Sequence, residues 1–147
     1  MLNIKTVEKL LKDELAATET YQLALAKLRE EVALGEAEYL MPIYEDHKEA
    51  VSSLQAGIRQ LGETPSEDSG AWGAWAEIVQ EGANILGKKT ALRVLQEGEK
   101  NGADDYEEAL EDIELPITIR SLIETKLLPA QQAHIRTLDR LLEGARA

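Results

Sequence analysis

The chain has 147 residues, enough for one domain with a real core, and its 16 basic against 28 acidic side chains give a formal charge of −12. That sign repels phosphate backbones and anionic lipid head groups, so nucleic acid and membrane surfaces are not expected partners. With no Cys and only two His, disulfides and thiolate centres are excluded, and any metal would be held by Glu, Asp, His or Tyr.

The N-terminal MLNIKTVEKL has no signal-peptide apolar stretch, and no run approaches the roughly 18 apolar residues of a membrane span, so a cytoplasmic protein is expected. Ala, Leu, Glu, Lys and Gln are abundant, there are four Pro and no Phe, and the class expected is all-α.

The first segment sets Val7, Leu11, Glu14, Thr18, Tyr21, Leu25, Leu28 and Val32 at alternating spacings of four and three, one face of a helix with Glu14 inside its apolar seam. A turn is expected between Glu30 and Glu36, helped by Gly35. The second helix carries Leu40, Ile43, His47, Val51, Leu54, Ile58 and Leu61, with His47 on the seam. GETPSEDSG then reads as a helix stop and a loop. Trp72, Trp75, Val79, Ala83 and Leu86 suggest a short amphipathic helix lying across the outside of the bundle, anchored by its two Trp or shaping a ligand pocket beneath them.

The third long helix is expected from about Lys88 to Ile113, with Leu92, Leu95, Glu99, Gly102, Tyr106, Leu110 and Ile113 on one face. Pro116 restarts the chain, because proline suits a first turn where its missing donor is not needed. The fourth helix presents Ile119, Ile123, Leu127, Ala130, His134, Leu138 and Leu141. Two short connections and one long middle one make a single four-helix bundle over residues 1–147, with a crossover between the second and third helices.

The two halves repeat. LMPIYEDH at Leu40–His47 is echoed by LLPAQQAH at Leu127–His134, and Glu14 precedes Tyr21 by seven residues as Glu99 precedes Tyr106. One hairpin, at roughly 4–62 and 88–145, is read as doubled. Pro42 and Pro129 each fall five residues before a His, either bending a helix or opening a new helical segment.

Seven residues make nearly two whole turns, so each Glu shares a face with its Tyr, and each helix brings one ionisable group into an apolar interior. Helix axes in bundles lie about 8–10 Å apart, which lets Glu and His side chains from facing helices meet. Glu99 and His134 are nearly equidistant from the turn at Pro116, whereas Glu14 and His47 match in depth only if the first turn falls near Glu30. Glu97 points about 200° away from Glu99, and Glu19, Asp46 and Asp104 also fall off the seam. Nothing resembles a nucleophile with its base, a phosphate-binding glycine loop or a zinc-finger spacing.

Through KDELAATETY, LMPIYEDH, SGAWGAWAEIV, LQEGEKNGADDY and LLPAQQAH, nearly the whole chain resembles the ferritin-like superfamily, and more closely an uncharacterised bacterial ferritin-like family described as a domain of unknown function. The metal-binding members of that superfamily carry a Glu on the first and third helices and a Glu-x-x-His on the second and fourth. The resemblance therefore implies Glu14, His47, Glu99 and His134 as metal ligands, with Tyr21 and Tyr106 beside them. The two remaining glutamates are missing, since Tyr44 and Gln131 stand in their places.

Two carboxylates cannot neutralise two ferrous ions, so one divalent ion is the better match, zinc or iron, with zinc the least demanding choice. Tyr44 as a phenolate ligand, with the Gln131 carbonyl beside it, is an alternative that would suit ferric iron. A metal-free cluster of ion pairs is the other expectation, because His is a sufficient partner for a buried carboxylate. Three functions thus stay open: a one-metal bundle, a non-catalytic structural or stress-related bundle that self-associates as a homodimer or larger homo-oligomer, and a di-iron oxidoreductase acting on oxygen or peroxide.

Overall fold

A computed structural model describes residues 3–30, 34–69 and 88–146. Among these residues the regular structure is all helical, in four rods that pack as a bundle: α1 (Ile4–Glu30), α2 (Leu34–Gln60), α3 (Lys88–Leu110), and a composite rod of α4 (Ile117–Leu122), a π-helical turn (Ile123–Leu127) and α5 (Leu128–Arg146). The principal neighbours are α1 with α2, α3 with α5, and α1 with α3. No described helix is long and apolar enough to cross a membrane. The expected helix around Trp72, Trp75, Val79, Ala83 and Leu86 lies outside the described residues.

Local chemistry sets the helix ends. Asn3 caps α1 by accepting from the Thr6 amide at 3.2 Å, and its own side-chain amide donates to Asp112 at 2.7 Å, joining the start of α1 to the end of α3. Gly62 ends α2 with φ of 85°, a conformation open to a residue without Cβ. The Glu63 amide there reaches back to Ile58 O and the Gly62 amide to Arg59 O, which satisfies carbonyls the helix leaves open. Arg120 does the same for α3, donating to Leu110 O and Asp112 O at 2.7 and 2.8 Å.

Two sequence expectations shift by a turn. Gly35 falls inside the first turn of α2 rather than in the connection before it. α3 stops at Leu110, so Ile113 sits in the turn with 95% of its surface exposed instead of extending the seam. The polar loop after Gly62 runs back along α1, with the Ser66 amide on Glu8 at 3.0 Å and the Ser69 hydroxyl on Glu19 at 2.7 Å. Those two acceptors are eleven residues apart, about 16 Å of helix.

The two prolines behave differently. Pro42 lies within α2, which remains α-helical throughout. Pro129 follows the π turn, in which the Leu128 amide bonds Ile123 O, five residues back. Proline has no amide to give and its ring crowds the carbonyl four residues earlier. A widened turn at this point lets the rod continue without a break.

The interior is two apolar clusters with a polar layer between them. One gathers Leu25, Leu28, Leu40, Leu92, Leu95 and Leu138; the other gathers Leu10, Leu11, Leu54, Ile58, Ile119 and Ile123. Tyr21 belongs to the first cluster and Tyr106 to the second, and the hydroxyls of both end in the layer that separates them.

Candidate metal centre

Each rod delivers one group to that layer. Glu14, His47, Glu99 and His134 are all at most 5% exposed, although each could be solvated at little cost on a helix surface. α1 ends at Glu30 and α2 begins at Leu34. With these bounds Glu14 and His47 lie at the same depth, 2.6 Å apart.

His47 lies at the centre. Its Nδ1 is 2.6 Å from Glu14 Oε2 and its Nε2 is 2.5 Å from Glu99 Oε1. A neutral imidazole has one N–H and could satisfy only one of these acceptors. Burial would lower the pKa of His47, but the charges of Glu99 and Glu14 and their hydrogen bonds outweigh it and hold the pKa well above 6.5. In the ion-free protein His47 is therefore an imidazolium that donates to both acids. Burial likewise opposes ionisation of Glu99, yet His47 and His134 pull its pKa down to about 2.

The tyrosines cross between the halves. Tyr21 donates to Glu99 Oε1 at 2.8 Å, and Tyr106 donates to Glu14 Oε1 at 2.6 Å. Burial and the facing carboxylates push both phenol pKa values well above 10.0, so each hydroxyl keeps its proton.

His134 breaks this two-fold pattern. Its ring lies 4.9 Å from that of His47, centroid to centroid, and its Nδ1 stands 3.4 Å from Glu99 Oε1, close enough for attraction but without a hydrogen bond. Its Nε2 is instead paired with Asp46 Oδ2 at 2.8 Å. Asp46 is off the α2 seam, with a side chain 52% exposed, and sequence reasoning set it aside. It reaches around the edge of α2 to the neighbouring rod. The one sequence signal is its position next to His47, about 100° around α2.

Gln131 is buried and donates to the backbone carbonyl of Glu99 at 3.1 Å, which ties the fourth rod to α3 beside the cluster. Tyr44 does not join it. Its hydroxyl accepts from Gln22 at 2.9 Å near the surface, and Lys48 Nζ lies 5.2 Å from the centre of its ring.

His47, Glu99 and His134 present ligand atoms all within 4.8 Å of one another. Two buried atoms of this group, Glu99 Oε2 and His134 Nδ1, have no hydrogen-bond partner. Unsatisfied polar atoms in an interior carry a desolvation cost, and two of them in one group of potential ligands fit a cation. A cavity of about 70 Å³ opens beside the cluster between α2 and the fourth rod, with His47, His134 and Gln131 among its lining residues.

Fold and site together define a helical bundle with a buried layer of acids, imidazoles and phenols. The chain belongs to the family described as Domain of unknown function (DUF2383), whose model matches residues 3–112. That match takes in Glu14, Tyr21, Asp46, His47, Glu99 and Tyr106 and stops before His134. No curated protein and no solved structure matches the chain.

Proposed function

We propose that this protein is a ferritin-like bundle, built from a doubled hairpin, that binds one divalent ion, zinc or ferrous iron, through Glu99, His134 Nδ1 and His47 Nε2, the last releasing its proton to solvent as the ion takes its place. The observation that carries this reading is the arrangement of the two imidazoles. Each has a carboxylate on its outer nitrogen, Glu14 at 2.6 Å from His47 Nδ1 and Asp46 at 2.8 Å from His134 Nε2, while the inner nitrogen of each faces Glu99. Metal-binding histidines almost always donate their other N–H to such an acceptor, which fixes the ring and raises its basicity.

Glu14 then has a different task from that of a fourth ligand. It lies on the far nitrogen of His47 from Glu99, where it orients the ring and receives the Tyr106 hydroxyl. Tyr21 orients Glu99 in the same way. Two imidazoles and one carboxylate suit a centre with an open position, as in mononuclear zinc and ferrous sites. A second ion is disfavoured, because Tyr44 is turned towards Gln22 and Gln131 brings no charge where a second carboxylate would be needed. A bound ion would supply Lewis acidity to whatever oxygen ligand takes the open position.

The metal-free reading has one observation in its favour: the His47 imidazolium between Glu14 and Glu99 already pairs both buried acids. It makes the protein a structural bundle that packs against further copies of itself. Protein purified without chelator, stripped, reloaded with zinc and desalted separates the two. About one zinc per chain by mass spectrometry, together with a raised melting temperature, is the outcome expected of the metal centre. Trace zinc and an unchanged melting temperature would favour the structural bundle.

A further inference from the structure

The cavity beside the cluster carries a consequence for how an ion arrives. Its floor is His47, Glu14, His134 and Gln131, and its walls are the aliphatic side chains of Ala50, Leu127 and Ala130. Asp46, Glu49 and Lys126 complete the lining, with side chains 52, 57 and 51% exposed. Lys126, carried by the π turn, is salt-bridged to Glu49, so an ammonium group already holds a carboxylate at the opening.

We infer that this cavity is the entry path for the divalent cation, with Asp46 and Glu49 as its receiving carboxylates and Lys126 as a tethered cation that the incoming ion must displace. The inference rests on the metal-centre reading. Glu14, Asp46 and Glu49 outnumber the Lys126 ammonium and the His47 imidazolium, so the path keeps a net negative sign that favours cations over anions. Behind the acids lies His134, 5% exposed, with Nε2 held by Asp46 and the inner nitrogen, Nδ1, without a hydrogen-bond partner.

A second acidic groove among the described residues, between α1 and α3, has its aspartates already engaged. Asp112 there is held by Asn3 and Thr6, and Asp105 by Lys9.

Cobalt(II) loading of the stripped full chain, followed by stopped-flow absorption, tests the path. Lys126→Gln should load several-fold faster and Glu49→Gln several-fold slower, in the range that local charge alters association rates, about tenfold or less at moderate salt. Lys9→Gln, on the remote groove, should load at the unaltered rate. Equilibrium stoichiometry should stay near one cobalt per chain in all three. Stoichiometry near one with equal rates for the two cavity variants and the unaltered chain would overturn the entry path and leave the centre standing. No cobalt bound at equilibrium by any of them would overturn both.

Discussion

Tyr21 on α1 donates to Glu99 on α3 at 2.8 Å across 78 residues of sequence, and the same contact runs in reverse from Tyr106 to Glu14 at 2.6 Å. Each phenol crosses from one apolar cluster to hold a carboxylate in the polar layer. Removing either hydroxyl leaves a buried charged acceptor short of a donor. Tyr21→Phe and Tyr106→Phe should each cost about 2 kcal/mol in urea unfolding with an unchanged denaturant slope, because bonds to charged groups are worth about 1.5–3 kcal/mol. Variants as stable as the unaltered chain would mean that these bonds do not brace the layer.

His47 carries more than either tyrosine, since it faces both acids. His47→Leu should destabilise the ion-free protein by about 3–5 kcal/mol, the usual cost of stranding buried charges. Adding Glu14→Gln and Glu99→Gln to His47→Leu should restore much of that loss, because amides tolerate burial better than unpaired carboxylates. A triple variant no more stable than His47→Leu would argue against an ion pair at the centre.

The same pair sets a pH window in chelator-treated protein. Glu99 has its pKa lowered from 4.5 to about 2, so its contribution is present above about pH 4.5 and is lost as pH falls towards 2. His47 has its pKa raised above 6.5, so its contribution is full below pH 6.5 and is lost as pH rises through the folded-state value. Stability from these two groups is greatest between about pH 4.5 and 6.5. Melting temperatures across pH 2–10 should show that maximum in the unaltered chain and a flatter profile in the triple variant, which has neither titrating group.

Asp46 separates binding from folding. With half of its side chain in water, Asp46→Ala should change stability by no more than about 0.5 kcal/mol. Loss of its bond to His134 Nε2 should weaken zinc affinity about 10–100-fold, the usual effect of removing a partner from a ligating imidazole. Competition titration against a chelator of known affinity reads this directly. Unchanged affinity would remove His134 from the ligand set.

Much of the architecture was legible in sequence because helical periodicity is local. Glu14, Tyr21, His47, Glu99, Tyr106 and His134 are buried as the spacing required, and with α1 ending at Glu30 and α2 beginning at Leu34 the first pair lies level with the second. Where the outcome depended on contacts between rods, local pattern failed. Asp46 does fall off the seam, half exposed, but its reach to His134 depends on how α2 meets the fourth rod, which periodicity along one helix does not encode. Tyr44 matched a ligand position by spacing, but its hydroxyl found Gln22 at the surface. The π turn ahead of Pro129 had no counterpart ahead of Pro42, although the two sequence phrases are alike.

The central claim is that His47, Glu99 and His134 share one ion, and X-ray absorption at the zinc edge of the reloaded protein tests it most directly. Two imidazole shells and oxygen are expected for the unaltered chain, falling to one imidazole in His134→Ala. An all-oxygen shell, or a spectrum that His134→Ala leaves unchanged, would contradict it.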